Sequence, residues 1–349
     1  MLSSDMTGGQ NPFPEVEGCA VIAEVAQAHD GDSEAAHAYI DAAANAGAHG
    51  VKFQTHLAAA ESTPEEPWRV KFSDRDATRY DYWKRMEFSP GQWEQLRGHT
   101  LERGLLFVCS PFSVEAVEMM SPMGVDAWKI ASGELGTWPL LEKIAAAGAP
   151  VLLSSGMSPW AEIDTAVEQV CAHDLPLVVM QCTSVYPTPA RQAGLNVLSE
   201  MKRRYGCAVG LSDHSGAIYA GLAAAVLGAA VLEVHVAFAR TDPGPDVPSS
   251  VTFDELEQLV RGVGFLTEAA SNPVDKDALA GELQDLRRTF TKSIVAARAL
   301  LAGTVLKETH LALKKPGTGL GAARLSGLVG KTLKRDLEVD EQLAEEDLA

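Results

Sequence analysis

Basic residues are scarce in this 349-residue chain: 29 Lys and Arg stand against 47 Asp and Glu, a formal net charge of −18. Nucleic acid demands a basic footprint for its phosphates, and anionic membrane surfaces demand one for their headgroups, so neither partner is expected. No stretch of about 18 apolar residues occurs, so nothing reads as a membrane span. Residues 1–17 hold no Lys or Arg and no apolar segment, and read as a flexible extension rather than a signal peptide. Cysteine is sparse as well. The five, at 19, 109, 171, 182 and 207, are odd in number and lack CxxC spacing, which excludes a disulfide framework or a thiolate zinc site. Buried free thiols in a cytoplasmic protein are the expectation. A GxGxxG after the first strand, a P-loop and a GxSxG are all missing, so a dinucleotide fold, a P-loop enzyme and an α/β-hydrolase lack support.

What is present is a soluble, globular composition, 46% hydrophobic and 22% charged. Short apolar runs alternate with longer Ala-, Leu- and Glu-rich stretches. The runs at Cys19–Ala26, Gly50–Thr55, Leu105–Ser110, Ala127–Ala131, Pro150–Ser154, Pro176–Cys182, Ala208–Ser212 and Ala230–Val236 read as strands. Helices are predicted between them, with a further one at Phe253–Ala270 after the last. Continuous apolar strands alternating with helices signify a parallel sheet covered on both faces. Eight such units over about 250 residues match a (β/α)8 TIM barrel, and that count favours a closed barrel over an open sheet. The predicted organisation is an extension at 1–17, a catalytic barrel at 18–271, a polar linker at 272–289 and a small β-rich module at 290–349. The stretch Leu57–Phe88 is a long aromatic and charged loop, carrying Trp68, Tyr80, Tyr82 and Trp83, and is expected to wall the active site.

Barrel active sites form at the C-terminal ends of the strands. Those ends carry Glu24, Lys52 and Gln54, Ser110, Lys129 with Ser132 and Glu134, Ser154 and Ser155, Thr183 with Tyr186, Ser212 with His214, and Glu233 with His235. Eight successive strand ends aiming polar groups at one face is a functional pattern. Lys52 and Lys129 would make a cationic pocket, with hydroxyls and amides near Ser132, Ser154 and Ser184 suited to a small doubly anionic substrate. His214 and His235, on neighbouring strands, could hold a divalent metal together with Glu233 or Asp213. Asp246 lies in a stiff Pro-rich loop beyond the eighth strand.

At these residues the chain resembles the sialic acid (N-acetylneuraminate) synthase family of bacterial nonulosonate synthases. The stretches that carry the resemblance are Ala23-Glu-Val, Gly50-Val-Lys-Phe-Gln-Thr, Ser110-Pro-Phe-Ser, Lys129-Ile-Ala-Ser-Gly-Glu, Leu153-Ser-Ser-Gly-Met, Cys182-Thr-Ser-Val-Tyr-Pro, Gly210-Leu-Ser-Asp-His-Ser-Gly, Glu233-Val-His and Gly244-Pro-Asp. The C-terminal module, with Lys314-Lys-Pro-Gly-Thr-Gly, is similar to the antifreeze-like (SAF) domain. The resemblance implies condensation of phosphoenolpyruvate with an N-acetylated hexosamine such as N-acetylmannosamine, giving a nine-carbon α-keto acid and phosphate. It implies that His214 and His235 ligate Mn or Mg. Lys52, Ser110, Lys129, Ser132, Ser154, Ser184 and Ser212 would hold phosphoenolpyruvate, and Glu24, Gln54, Tyr186 and Asp246 the sugar. Glu134, with Glu24 and Lys129, would serve catalysis. It also implies a domain-swapped homodimer, which would carry Lys315 into the partner's site.

The chain departs from the family pattern at Ala28, Val247, Lys292 and Lys315, where Asn, His, Arg and Arg are usual. Lys cannot reproduce an Arg fork, so these changes bear on the acceptor more than on the reaction. A 2,4-diacetamido hexose, as in legionaminic or pseudaminic acid synthesis, is the alternative acceptor. A related synthase acting on a sugar phosphate would want extra basic residues for a second phosphate, and Arg is scarce at the predicted strand ends, although Arg69, Arg75, Arg79 and Arg85 crowd the long loop. A non-catalytic carbohydrate-binding protein would bind sugar without turnover or metal dependence.

Overall fold

The structure, a computed structural model, describes residues 12–72 and 74–349. Eight parallel strands form the first unit: β1 (Ala20–Ala26), β2 (Gly50–Thr55), β3 (Leu106–Pro111), β4 (Ala127–Ile130), β5 (Val151–Ser154), β6 (Leu177–Cys182), β7 (Ala208–Asp213) and β8 (Val231–Ala237). Each pairs with the next, and β8 pairs with β1 to close the barrel (Ala20 opposite Val231, Glu24 opposite His235). The short β9 (Val251–Thr252) adds to β8. The expected TIM barrel is thus the observed architecture.

Strand side chains alternate between faces, and here both faces are buried. Val21, Ala23 and Val25 of β1 point outward into the layer shared with the surrounding helices, as do Val51 and Phe53 of β2 and Leu232 and Val234 of β8. Ala20, Ile22, Val108, Ala127, Leu152, Val178, Met180, Ala208 and Val231 point inward and fill the lower half of the barrel. This double burial is why the strands read as uninterrupted apolar runs. Phe13, 4% exposed, packs with that inner cluster, so part of the stretch expected to be a flexible extension is anchored; residues 1–11 lie outside the described residues.

The helices begin where the local chemistry provides a partner for the first free backbone N–H groups. Ser89 and Thr252 form capping boxes with Gln92 and Glu255, and Asp32 accepts from the Glu34 amide. The long loop after β2 is not wholly irregular: it contains helices at Ala58–Glu61 and Arg79–Met86, the second opened by a Thr78–Asp81 capping box.

The chain divides into compact units between Asn272 and Pro273. Residues expected to form a linker fold within the second unit as helices Lys276–Glu282 and Gln284–Phe290. An antiparallel pair, β10 (Ser293–Ala296) and β11 (Leu311–Lys314), then packs over Leu300, Leu306, Leu333, Leu337 and Leu343.

Candidate active site

The second or third inward position of a strand is where apolar side chains give way to polar ones. Register puts Glu24 beside Lys52 and His235, Gln54 beside Ser110, and Ser212 between Cys182 and Glu233. These groups line a cavity of about 430 Å³, along with Lys129, Ser132, Glu134, Ser154, Ser184, Tyr186, His214 and Asp246. The barrel residues expected to hold substrate or metal therefore reach one cavity, whereas Ser155, Thr183 and Asp213, also at strand ends, do not line it. Lys315 lies in the second unit, over the Phe290 ring.

At the cavity floor the two lysines are not a bare cationic pair. Lys129 Nζ lies 2.6 Å from Glu233, and Lys52 Nζ lies 2.9 Å from Glu24 and 3.5 Å from Glu233. Ser212 Oγ donates to Glu233 at 3.0 Å. Lys52 is 4% exposed and Lys129 2%, so the set of two positive and two negative groups is nearly dry. Burial favours neutral forms, but Lys129 and Lys52 together hold the Glu233 carboxyl below its ordinary range. Burial lowers Lys129, with Glu233 opposing it, whereas Glu233 and Glu24 outweigh burial at Lys52 and raise it. Glu233 was a candidate third metal ligand; its carboxylate faces the lysines instead. Asp213, the other candidate, accepts from the Ser215 amide and hydroxyl and shapes the turn after β7. A buried pair broken on one side costs about 3–5 kcal/mol, so the four groups hold one another in place.

Above this floor, the loops after β4, β5 and β6 bring serines together around Gly156. A Cβ at Gly156 would lie 2.2 Å from Ser132 Oγ and 2.3 Å from Ser184 Oγ. Only the absence of a side chain lets two hydroxyl donors converge there. Ser110, Ser154 and Ser212 lie deeper, and Ser110 Oγ donates to the Lys129 carbonyl. Glu134, half-buried beside them, has its carboxyl raised by burial, with a contribution from Glu61. A carboxyl so placed is suited to giving or taking a proton.

The imidazoles of His214 and His235 stand with ring centroids 5.2 Å apart. Burial and the neighbouring His235 lower His214 to about 3, so it is neutral. Its Nδ1 faces the Thr183 carbonyl at 3.2 Å and must carry the hydrogen, which leaves Nε2 as the acceptor toward Tyr186 Oη, 3.0 Å away. A neutral imidazole with its tautomer set by a backbone carbonyl is a metal-binding group. No cluster of three His, Cys, Asp or Glu with metal-site geometry occurs among the described residues. The donor set fits an ion held by two imidazoles with its remaining positions open to water and substrate.

The mouth adds residues that the sequence did not single out as site residues. His56 is stacked between Trp83 and Phe112, with centroids 4.1 and 4.5 Å away. Its Nδ1 lies 2.7 Å from Glu61, and its Nε2 lies 2.9 Å from the Gln27 amide nitrogen. Gln27 donates to Gln54, which donates to Glu24 at 2.6 Å. Gln27 is the branch point: one relay of donors runs through His56 to Glu61, and the other runs through Gln54 to Glu24, onto which Lys52 also donates. From the same long loop, Arg69 pairs with Asp246 at 2.7 Å and Arg79 with Glu66 at 3.2 Å. Of the loop's four conspicuous aromatics, only Trp83 lines the cavity; Tyr82 is buried against Trp68 and Phe72.

Comparison with known proteins agrees with this architecture. Residues 39–275 match the NeuB family and residues 291–349 the SAF domain. The chain is 32% identical to the N-acetylneuraminate-9-phosphate synthase of Mus musculus, over 97% of this chain and 93% of that one. It is 29% identical to the N,N'-diacetyllegionaminic acid synthase of Campylobacter jejuni, over 93% and 98% respectively. The crystal structure of an N-acetylneuraminic acid synthetase from Leptospira borgpetersenii superposes with a TM-score of 0.69 at 28% identity, covering 83% of this chain and 96% of that one. A closed barrel with this polar layer, a SAF domain after it and full-length similarity to synthases of this kind have one reading: the chain belongs to the NeuB family.

Proposed function

We propose that this protein is a nonulosonate synthase that condenses phosphoenolpyruvate with N-acetylmannosamine. In that reaction the methylene carbon of phosphoenolpyruvate bonds to the aldehyde carbon of the open-chain sugar, whose oxygen takes up a proton. Water adds to the phosphate-bearing carbon, phosphate leaves, and a nine-carbon α-keto acid results.

The observation that carries the reading is the convergence of Lys52, Lys129 and the serines around Gly156 on one side of a cavity whose other side holds the imidazoles of His214 and His235. The lysines and the hydroxyls of Ser110, Ser132, Ser154, Ser184 and Ser212 would hold the carboxylate and phosphate of phosphoenolpyruvate. Their charge is balanced by Glu24 and Glu233 in the protein alone, so the incoming anion competes with two internal carboxylates. Glu24, Gln54, Tyr186 and Asp246 would position the sugar hydroxyls, and Glu134, its carboxyl raised by burial, would manage the proton or water at the phosphate-bearing carbon. His214 and His235 would hold Mn or Mg, which when bound polarises the aldehyde oxygen as a Lewis acid.

Charge at the mouth favours an acceptor that is neutral at its far end. Arg69 is matched by Asp246 and Arg79 by Glu66, which leaves no surplus of positive charge for a second phosphate. The mammalian relatives are named for a 9-phosphate product; the Campylobacter relative is named for a legionaminic acid. The acceptor test is phosphate release from phosphoenolpyruvate with N-acetylmannosamine, its 6-phosphate and a 2,4-diacetamido hexose in separate reactions. Turnover with the first supports the reading. Exclusive use of the 6-phosphate overturns the neutral acceptor, and exclusive use of the third makes the enzyme a legionaminic- or pseudaminic-type synthase.

We also propose a cytoplasmic homodimer in which the SAF domain of one chain reaches the barrel mouth of its partner with Lys315. Supporting this are the family resemblance and the finding that no described helix is long and apolar enough to cross a membrane. Light scattering that gave a monomer at assay concentration would overturn it.

A further inference from the structure

We propose that Arg69, delivered by the long loop after β2, is a specificity-determining residue that reads the acyl carbonyl of the acceptor's amide. The inference rests on the proposed function and adds to it a residue that no sequence motif marks.

Arg69 comes from an irregular segment between the helices Ala58–Glu61 and Arg79–Met86, yet its guanidinium is held on two sides. One terminal nitrogen donates to Asp246 Oδ1 at 2.7 Å, and the guanidinium carbon stands 4.4 Å from the centre of the Tyr186 ring. Tyr186 in turn bonds His214, so Arg69, Tyr186 and His214 form a column from the mouth toward the imidazole pair. The Arg69 side chain remains 41% exposed and lines the cavity. Among the described residues its one hydrogen bond is to Asp246, and a guanidinium has five N–H groups in a planar fork.

The chemistry of the other lining groups says what that fork is for. Glu24, Glu61, Glu66, Glu233 and Asp246 contribute carboxylates, which when ionised only accept hydrogen bonds. They suit sugar hydroxyls, which can donate. An acyl carbonyl oxygen also only accepts, and therefore needs a donor. Gln27 donates to His56 and to Gln54, Gln54 donates to Glu24, and Arg79 is turned onto Glu66 and the Pro67 carbonyl. Of the two lining arginines, Arg69 spends fewer of its donors on the protein, and it is the one that stands over Tyr186, the residue proposed to touch the sugar. Asp246 and the Tyr186 face orient it by charge and by the ring's negative surface.

The test is steady-state kinetics of Arg69→Ala and Arg69→Lys against wild type, with N-acetylmannosamine and with mannose, which lacks the acyl group. If Arg69 reads the carbonyl, Arg69→Ala lowers kcat/KM for N-acetylmannosamine by about tenfold or more, mainly through KM. The preference for N-acetylmannosamine over mannose shrinks by the same factor, and the KM for phosphoenolpyruvate stays within about twofold. Arg69→Lys restores part of the loss, since it keeps the charge but not the fork. An unchanged acceptor KM, or equal losses for both sugars, overturns the inference while leaving the synthase reading intact. Failure of the wild type to turn over any acylated sugar overturns both.

Discussion

Replacing Gly156 by Ala is a one-carbon change with a calculable effect. Gly156 has ordinary backbone angles, so alanine brings no backbone strain, only volume. The new Cβ would lie 2.2 Å from Ser132 Oγ, 2.3 Å from Ser184 Oγ and 2.8 Å from Ser132 Cβ. Ordinary contact begins at 3.4 Å, so both hydroxyls must retreat by roughly 1 Å. A hydrogen bond to a charged group is worth about 1.5–3 kcal/mol, so losing one to the phosphoenolpyruvate anion multiplies its KM by about 10 to 150. Overpacking adds about 1–3 kcal/mol of destabilisation. Phosphate release measured against phosphoenolpyruvate concentration reads the first effect, and denaturant unfolding reads the second. The acceptor KM is expected to change by less than about threefold, because the serines face the anion rather than the sugar. A folded Gly156→Ala protein with an unchanged phosphoenolpyruvate KM would refute the assignment of Ser132 and Ser184 to the anion.

Three further substitutions probe other layers of the site. His235→Ala removes one of the two imidazoles, so titration with Mn is expected to show loss of the bound ion along with activity; full binding would remove His235 from the ligand set. Lys129→Ala leaves Glu233 with the Ser212 hydroxyl and, as its one remaining cation, Lys52 at the longer distance of 3.5 Å. It is expected to raise the phosphoenolpyruvate KM strongly, leave the acceptor KM alone and cost about 3–5 kcal/mol in unfolding measurements. Phe13→Ala opens the lower end of the barrel interior and is expected to destabilise the barrel by about 3–5 kcal/mol, with both KM values unchanged. An unaltered unfolding midpoint would show that Phe13 does not seal the core.

The barrel was readable from the sequence because every strand is buried on both faces, so each stands out as an apolar run between amphipathic helices. The same runs revealed the site: an inward position that turns polar near a strand's end, as at Glu24, Lys52 and Lys129, has no apolar neighbour to satisfy it. What was not readable is partnership across the barrel. Glu233 is two residues from His235 on β8, and that proximity suggested a shared metal. An inward strand position also faces residues several strands away, and there Lys129 and Lys52 claim the carboxylate. His56, Glu61 and Arg69 were missed as site residues for a related reason. They sit in or beside a loop without periodicity, and nothing local marks which of its charged residues turn inward. The signal that could have flagged Arg69 is the spare acidic Asp246 in the loop beyond β8, which needs a cationic partner.

The most direct test of the central claim is phosphate release from phosphoenolpyruvate with N-acetylmannosamine and Mn, omitting each component in turn. Release is expected only when all three are present, abolished by a chelator and matched mole for mole by a nine-carbon α-keto acid. Release without the sugar, or at full rate in excess chelator, would contradict the account.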